Sequence, residues 1–422
     1  MRHLSSYLRQ FSQGTFSSLH VRNYRLYYIG QIISTSGTFM QTVAQAWLVL
    51  KLTNSGSALG LVTALQYLPI LVLGPFGAII TDRISKRKIL YFTQSISGIL
   101  ALILGVLVAT SLVKVWMVYI LSFCLGLVTI FDSPTRQTFL FELVGPDNLS
   151  NAVTLYSILF NLSRVIGPAI AGALIAVVGM APCFIINGIS YVAVVIMLAL
   201  MRASELNIIP PVPRAKGQLQ EGFKYVVSTP ALASILLMMG IVGMLTFEFS
   251  VSLPLIAQFT FKGDASSYAF LTASLGFGAA VGGIFFAGRK RITPSKMVIA
   301  ALLFGLAVLA AACMPSLLLC GLALVLVGAA SINFSTLGNT ALQLESSPEM
   351  RGRVMSWWSV VWVGSSTIGG PVVGWFGEVA GARWSLVLGG LAALLAAGLG
   401  AYTLRNLQSA QTISTGQENK PA

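Results

Sequence analysis

Three charged side chains stand inside long apolar runs of this sequence: Asp132, Arg164 and Glu248. A charge at the centre of a bilayer costs at least about 2.5–3.5 kcal/mol, so each needs a partner, water or a task. A carboxyl that alternates between dry and wet surroundings changes its proton affinity. That is the chemistry of proton carriage, and Asp132 and Glu248 are candidates for it. Arg164 is suited to pair with an acid or an anionic substrate. Plainer roles stand beside these. Arg136 lies one helical turn after Asp132 and can pair with it. Glu248 can be a snorkelled or water-solvated group, and Arg164 a structural pair between helices.

Two polar stripes occur in the same kind of run. Ser34, Thr38, Gln41 and Gln45 follow spacings of 4, 3 and 4, and Asn333, Thr336, Thr340 and Gln343 follow 3, 4 and 3. Each set falls on one helix face. A face of amides turned to lipid is costly, so both predict contact with protein or water. They can hydrogen-bond a polar substrate, or only join helices. Gly167–Pro168 with Gly172, and Gly370–Pro371, combine a proline kink with a glycine contact. Such a bend can seal one side of a pathway or be architectural alone. Trp357, Trp358 and Trp362 read as packing or interface anchors.

The elements that carry these residues follow from composition. Of 422 residues, 56% are hydrophobic and 9% charged, against about 25% charged in soluble domains. Mean hydropathy is +0.83. These values exclude a water-soluble enzyme or a nucleic-acid binder. A helical span needs about 20 apolar residues, and twelve are predicted: 27–50, 58–80, 89–110, 115–137, 151–178, 181–201, 231–259, 267–288, 296–313, 316–341, 353–377 and 384–404. Helices are required because backbone polar groups in lipid must pair within the segment; a barrel would show short alternating strands. The predicted fold is an all-α membrane protein of two six-helix pseudo-repeats. It has a tail 1–26, bundles 27–201 and 231–404, an extended Pro-rich linker 202–230, and a polar, disordered tail 405–422.

Net charge is +14. Of the 26 Lys and Arg residues, 21 fall on the side of the two tails. Lys51, Lys114, Lys262 and Arg383 fall on the other side, and Arg164 within a span. By the positive-inside rule both termini are cytoplasmic. Cys124, Cys183, Cys313 and Cys320 lie in apolar runs and read as small buried hydrophobes. The histidines, His3 and His20, are confined to the N-terminal tail, so neither a metal site nor another cofactor is expected. No Gly-x-x-x-x-Gly-Lys-Ser/Thr stretch occurs, which speaks against ATP-driven transport. The first apolar run, near Leu26, is too long for a signal peptide.

The halves repeat weakly but in order. Residues 77–89 read GAIITDRISKRKI and 283–296 read GIFFAGRKRITPSK; 164–172 read RVIGPAIAG and 367–374 read TIGGPVVG. Fused repeats of this kind place a transport site between them near mid-membrane.

Residues 77–90, GAIITDRISKRKIL, resemble the loop 2–3 signature of the major facilitator superfamily. Asp82, Arg83, Lys86 and Arg87 match it, while Ala78 and Ser85 depart from it. RVIGPAIAG resembles the span-five signature associated with antiporters. The usual span-four arginine is missing between Lys114 and Arg136. Residues 23–53, NYRLYYIGQIISTSGTFMQTVAQAWLVLKLT, are similar to the subfamily of the enterobactin exporter and related bacterial efflux proteins. The resemblance implies alternating access, with spans one, four, seven and ten around a central cavity. It also implies a conformational latch at Gly77, Asp82, Arg83 and Arg87, where Asp82 meets a facing base or a helix N-terminus. The implied function is export of a siderophore- or drug-like molecule across the bacterial inner membrane in exchange for protons. An uptake symporter, or a receptor or assembly partner on the same fold, are the alternatives.

Overall fold

The computed structural model describes residues 16–208, 218–286 and 294–418; the side chains of 75–80, 82, 218–219, 294 and 407–418 lie outside that description. A 3-10 turn, Ser17–His20, leads into α1 (Arg22–Thr53), α2 (Gly56–Arg83), α3 (Lys86–Ala109), α4 (Val115–Val178) and α5 (Ala181–Leu200). After the turn Ala203–Glu205 come α6 (Gln218–Ser228), α7 (Pro230–Leu245) and α8 (Phe249–Leu255), the last running into a π-helical turn, Ile256–Thr260. The chain continues as α9 (Ala265–Phe286), α10 (Pro294–Cys313), α11 (Leu317–Glu345), α12 (Arg351–Val379) and α13 (Ala382–Glu418).

Each of the twelve predicted spans coincides with helix over nearly all of its described residues, with a break at Thr246–Glu248 in span seven. α4 carries spans four and five, and α7 with α8 carries span seven. Two predictions need correction. Residues 218–228 are helical rather than extended linker, and the final helix runs on to Glu418 where a disordered tail was expected. Neither 218–228 nor 405–418 contains a proline, the strongest helix breaker.

Glycine sets the punctuation. α4 is interrupted once, at Gly145, where φ is 70° and ψ −176°. That region is open essentially to glycine alone. Pro146 follows at the start of the next helical stretch, where its missing N–H leaves no bond unmade. α1 closes on Asn54 in the left-handed region, with its N–H on the Leu50 carbonyl.

Two compact units result. One comprises Met1–Asn54, Leu65–Pro213 and Asp264–Ala273. Its buried cluster draws Tyr24 and Tyr27 from α1, Leu90 from α3, Phe139, Leu143 and Leu155 from α4, and Val194 and Leu198 from α5. In lipid, helices associate through close packing and hydrogen bonds more than through water exclusion, and this unit shows both. The Tyr24 hydroxyl donates to the Ala152 carbonyl at 2.9 Å. The Asn23 amide donates to and accepts from the Arg202 backbone at 2.9 and 3.0 Å.

The second unit comprises Ser55–Ala64, Arg214–Gly263 and Ser274–Ala422. The first turns of α2 therefore belong with α12. Gly56 and Gly60 lie against Gly374 and Gly370 so closely that a Cβ on Gly60 or Gly374 would collide with the opposing carbonyl oxygen. Glu378, near the end of α12, accepts from the Ser55 hydroxyl at 2.7 Å and the Ser57 amide at 3.0 Å, so it caps the N-terminus of α2. α9 needs no borrowed acid. Its own Asp264 accepts from the Ser266 hydroxyl and the Ser267 amide, and these bonds hold that carboxyl below its usual range.

Gly145→Ala tests the junction within α4. The backbone there is expected to destabilise the first unit by about 1–3 kcal/mol. The check is the thermal unfolding midpoint of the purified protein, which should fall while the helix content stays the same.

Candidate functional site

Asp132 is met by donors from two helices. Its carboxylate accepts from Arg136 Nε at 2.5 Å, Thr93 Oγ1 at 2.6 Å and Gln94 Nε2 at 2.7 Å. Arg136 also donates from Nη1 to Gln31 Oε1 on α1. The pair is largely enclosed, with 18% and 15% of the two side chains exposed. Two buried atoms of the same neighbourhood, the Tyr27 hydroxyl and Gln94 Oε1, have no hydrogen-bond partner among the described residues. The i,i+4 pairing of Asp132 with Arg136 is thus present. Sequence reasoning missed Gln31, Thr93 and Gln94: Gln31 stands three residues before Ser34 and extends the α1 stripe by a turn, while the adjacent Thr93 and Gln94 on α3 offer no helical period.

The α1 stripe faces α4 and α5. Ser34 is buried, and its carbonyl accepts from the Thr38 hydroxyl at 2.9 Å. Thr38 Oγ1 also lies 3.3 Å from the Tyr191 hydroxyl. Gln41 Oε1 accepts from Asn187 Nδ2 at 2.6 Å, and Gln45 Nε2 donates to Ser122 Oγ at 3.0 Å. The α11 stripe is different. Asn333 is buried, Thr336 is exposed, Thr340 donates to the Thr336 carbonyl at 2.9 Å, and Gln343 donates to Asn339 at 2.7 Å. Among the described residues its side-chain bonds stay within α11, and the Gln343 carbonyl accepts from Arg351 Nε of α12 at 2.9 Å.

Arg164 lies in the second half of α4, half-buried, with no hydrogen bond or ion pair among the described residues. One turn on, Gly167 brings α4 onto α1: a Cβ there would stand 2.6 Å from Phe39 Cβ and 2.7 Å from the Ser36 carbonyl oxygen. Pro168 is buried, and Gly172 packs on Ala269 at the start of α9. In the second unit, Gly370 and Pro371 take the matching place against the start of α2.

Glu248 occupies a break. α7 ends at Leu245, α8 begins at Phe249, and Glu248 sits between them with φ −80° and ψ 43°. Only 2% of it is exposed, and Oε1 has no partner among the described residues. The Ser366 hydroxyl of α12 is its side-chain neighbour. Aromatic rings enclose the break. Phe247 lies 5.2 Å from Phe304 and 5.1 Å from Trp362 between ring centres, and Phe249 lies 6.4 Å from Phe304. Trp358 stacks on Trp362, and Trp357 meets Phe223 of α6. The break had no sequence signal, because Thr-Phe-Glu-Phe contains neither glycine nor proline.

Of the loop 2–3 residues, Gly77 and the side chain of Asp82 lie outside the described residues, and Arg83 is exposed. Arg87 ends α5: its guanidinium donates to the Leu198 and Ala199 carbonyls at 2.9 and 3.1 Å, where the helix dipole is negative. No cluster of three or more metal-ligating side chains occurs among the described residues.

The Asp132–Arg136 pair gives a stability prediction. Arg136→Ala leaves an enclosed carboxylate without its cation, a change that typically costs about 3–5 kcal/mol. Adding Asp132→Asn to it should recover a large part of that loss. Unfolding midpoints of the two single variants and the double variant measure the coupling; strict additivity would contradict it.

A profile for the family described as transmembrane secretion effectors matches residues 13–422. The chain is 30% identical over 166 residues to the staphyloferrin A transporter of Staphylococcus aureus (strain NCTC 8325 / PS 47), a match covering 39% of this chain and 42% of that protein. It is 26% identical over 370 residues to the enterobactin exporter EntS of Escherichia coli O1:K1 / APEC, covering 84% of this chain and 85% of EntS. Its fold is shared with a bacterial homologue of the human lysosomal transporter Spinster, with TM-score 0.73, 16% identity and coverage of 91% and 96%. This chain belongs to the transmembrane secretion effector family of the major facilitator superfamily, and is a multi-pass membrane transporter of small molecules and not an enzyme.

Proposed function

We propose that this transporter exports a siderophore- or drug-like molecule across the bacterial inner membrane by alternating access, driven by proton entry, with both termini cytoplasmic. The observation that carries the reading is Glu248: a carboxyl with 2% exposure, set at a break in a membrane span, with one unpartnered oxygen and no counter-charge among the described residues. Burial without a cation is severe for a carboxylate and mild for the neutral acid, so proton gain and loss change how this site fits its surroundings. Helix breaks in transporters free backbone groups next to such sites. Glu248 takes up a proton on one side and gives it up on the other as substrate leaves.

In this reading Asp132 is the fixed partner of Arg136, since three donors already satisfy it as an anion. The α1 and α11 stripes supply the polar wall of the substrate cavity. Gly167, Pro168, Gly172, Gly370 and Pro371 seat the helix crossings that must part in the cycle. Gly77, Asp82, Arg83 and Arg87 act as the latch, with Arg87 already anchored on α5. The relative named an enterobactin exporter supports efflux over uptake, and the staphyloferrin A transporter supports a small-molecule cargo.

The test is a pair of flux measurements on proteoliposomes, with the secreted compound identified first by comparing culture media of wild-type and deletion strains. The native protein should accumulate that compound against its gradient when a pH gradient is imposed. Glu248→Gln should lose accumulation yet keep exchange of labelled for unlabelled compound. Accumulation that survives either the substitution or collapse of the pH gradient would refute proton coupling through this residue.

A further inference from the structure

Two adjoining faces of α4, centred about 120° apart around the helix, are both exposed within the first unit, and they differ in chemistry. One presents Ile158, Leu162 and Ile166, at 52%, 55% and 39% exposure. The other presents Thr154, Ser157, Asn161 and Arg164, spaced 3, 4 and 3 residues apart and therefore in line on the helix. Thr154 and Ser157 are exposed, Asn161 and Arg164 partly so. Hydrocarbon can cover the first face. It cannot cover the second without heavy desolvation of an arginine and three polar groups, so water or a polar ligand must.

The donors on that face are unevenly used. Thr154 Oγ1 donates to the Ser150 carbonyl, Ser157 Oγ to Val153 and Asn161 Nδ2 to Ser157, at 2.8–2.9 Å. These groups are spent on their own helix. The Arg164 guanidinium has no partner among the described residues, and no acidic residue lies on the face. Phe160, 41% exposed and edge-on to Phe39 at 5.2 Å, borders it with an apolar wall. The face ends where Gly172 packs on Ala269.

We infer that this face is a wet binding lane for an organic anion, whose acidic group meets Arg164 and whose apolar part lies along Phe160. The inference rests on the transport reading and adds to it the charge of the transported molecule and the residues that select it. Thr154 and Ser157 form the approach from the end nearer Gly145, and Arg164 is the terminal contact. Arginine suits the task because its planar fork of donors matches a carboxylate in two bonds.

The experiment places a thiol in the lane. Ser157→Cys is made with Cys124, Cys183, Cys313 and Cys320 replaced by alanine, and also in the native-cysteine protein with the unsubstituted chain as blank. In phosphatidylcholine proteoliposomes, a negatively and a positively charged methanethiosulfonate are compared. Position 157 is about 10 Å along the helix from position 164. At that separation Arg164 should raise the anionic-to-cationic rate ratio about tenfold over its value in Arg164→Gln. Arg164→Lys should keep most of the preference. Citrate should slow labelling in the arginine protein and not in Arg164→Gln, and choline in neither. A thiol that neither reagent reaches, or a ratio indifferent to Arg164→Gln, overturns the inference. Protection by added phosphatidylglycerol but not by citrate would also overturn it, since the ligand would then be a lipid headgroup. Labelling needs no turnover, so a failure of proton-coupled flux with this charge preference intact would count against the transport reading alone.

Discussion

The interior of a bilayer does not tolerate an idle charge, and this protein keeps Asp132, Arg164 and Glu248 within its spans. Each is accommodated differently. Asp132 is surrounded by Arg136, Thr93 and Gln94, so its charge is matched locally and the helices α3 and α4 are joined by the match. Arg164 keeps its donors free on a polar face, which requires water or a ligand beside it. Glu248 has neither a cation nor full solvation, and it occupies a place where the helix stops and restarts. In the proposed function these three solutions divide the labour: one holds structure, one faces the passage, and one changes its protonation.

The backbone around these charges packs through small residues. Close glycine contacts bring α12 onto the first turns of α2, and α4 onto α1. Small residues at such crossings allow backbones to touch without side chains interlocking. The Glu378 cap adds a polar bond at the same crossing. A contact made of glycines and one carboxylate cap can be released without unpacking a hydrophobic core, which suits helices that move.

Much of this was legible in the amino-acid order. Spans were readable because lipid demands long apolar helices, and the in-span charges stood out by their cost. The Asp132–Arg136 pair followed from a spacing of four. Other features depended on neighbours far away in sequence. Nothing in Thr246–Glu248 announced a break; it is set by packing on other helices, with Thr246 bonded to the Gly389 carbonyl at 2.7 Å. Arg87 stood out only through the resembled signature, and only the fold shows it closing α5. The polar face of Thr154, Ser157 and Asn161 had a readable period, but it was hidden by the Gly-Pro pattern that follows it.

The account turns on Glu248 being a carboxyl that exchanges its proton in place. Infrared difference spectroscopy of the protein in lipid, titrated through the cellular pH range, examines this directly. The account predicts a carboxylic-acid carbonyl band that gives way reversibly to a carboxylate band, and that is missing from Glu248→Gln. A spectrum with no titrating carboxyl, or one unchanged by that substitution, would contradict it.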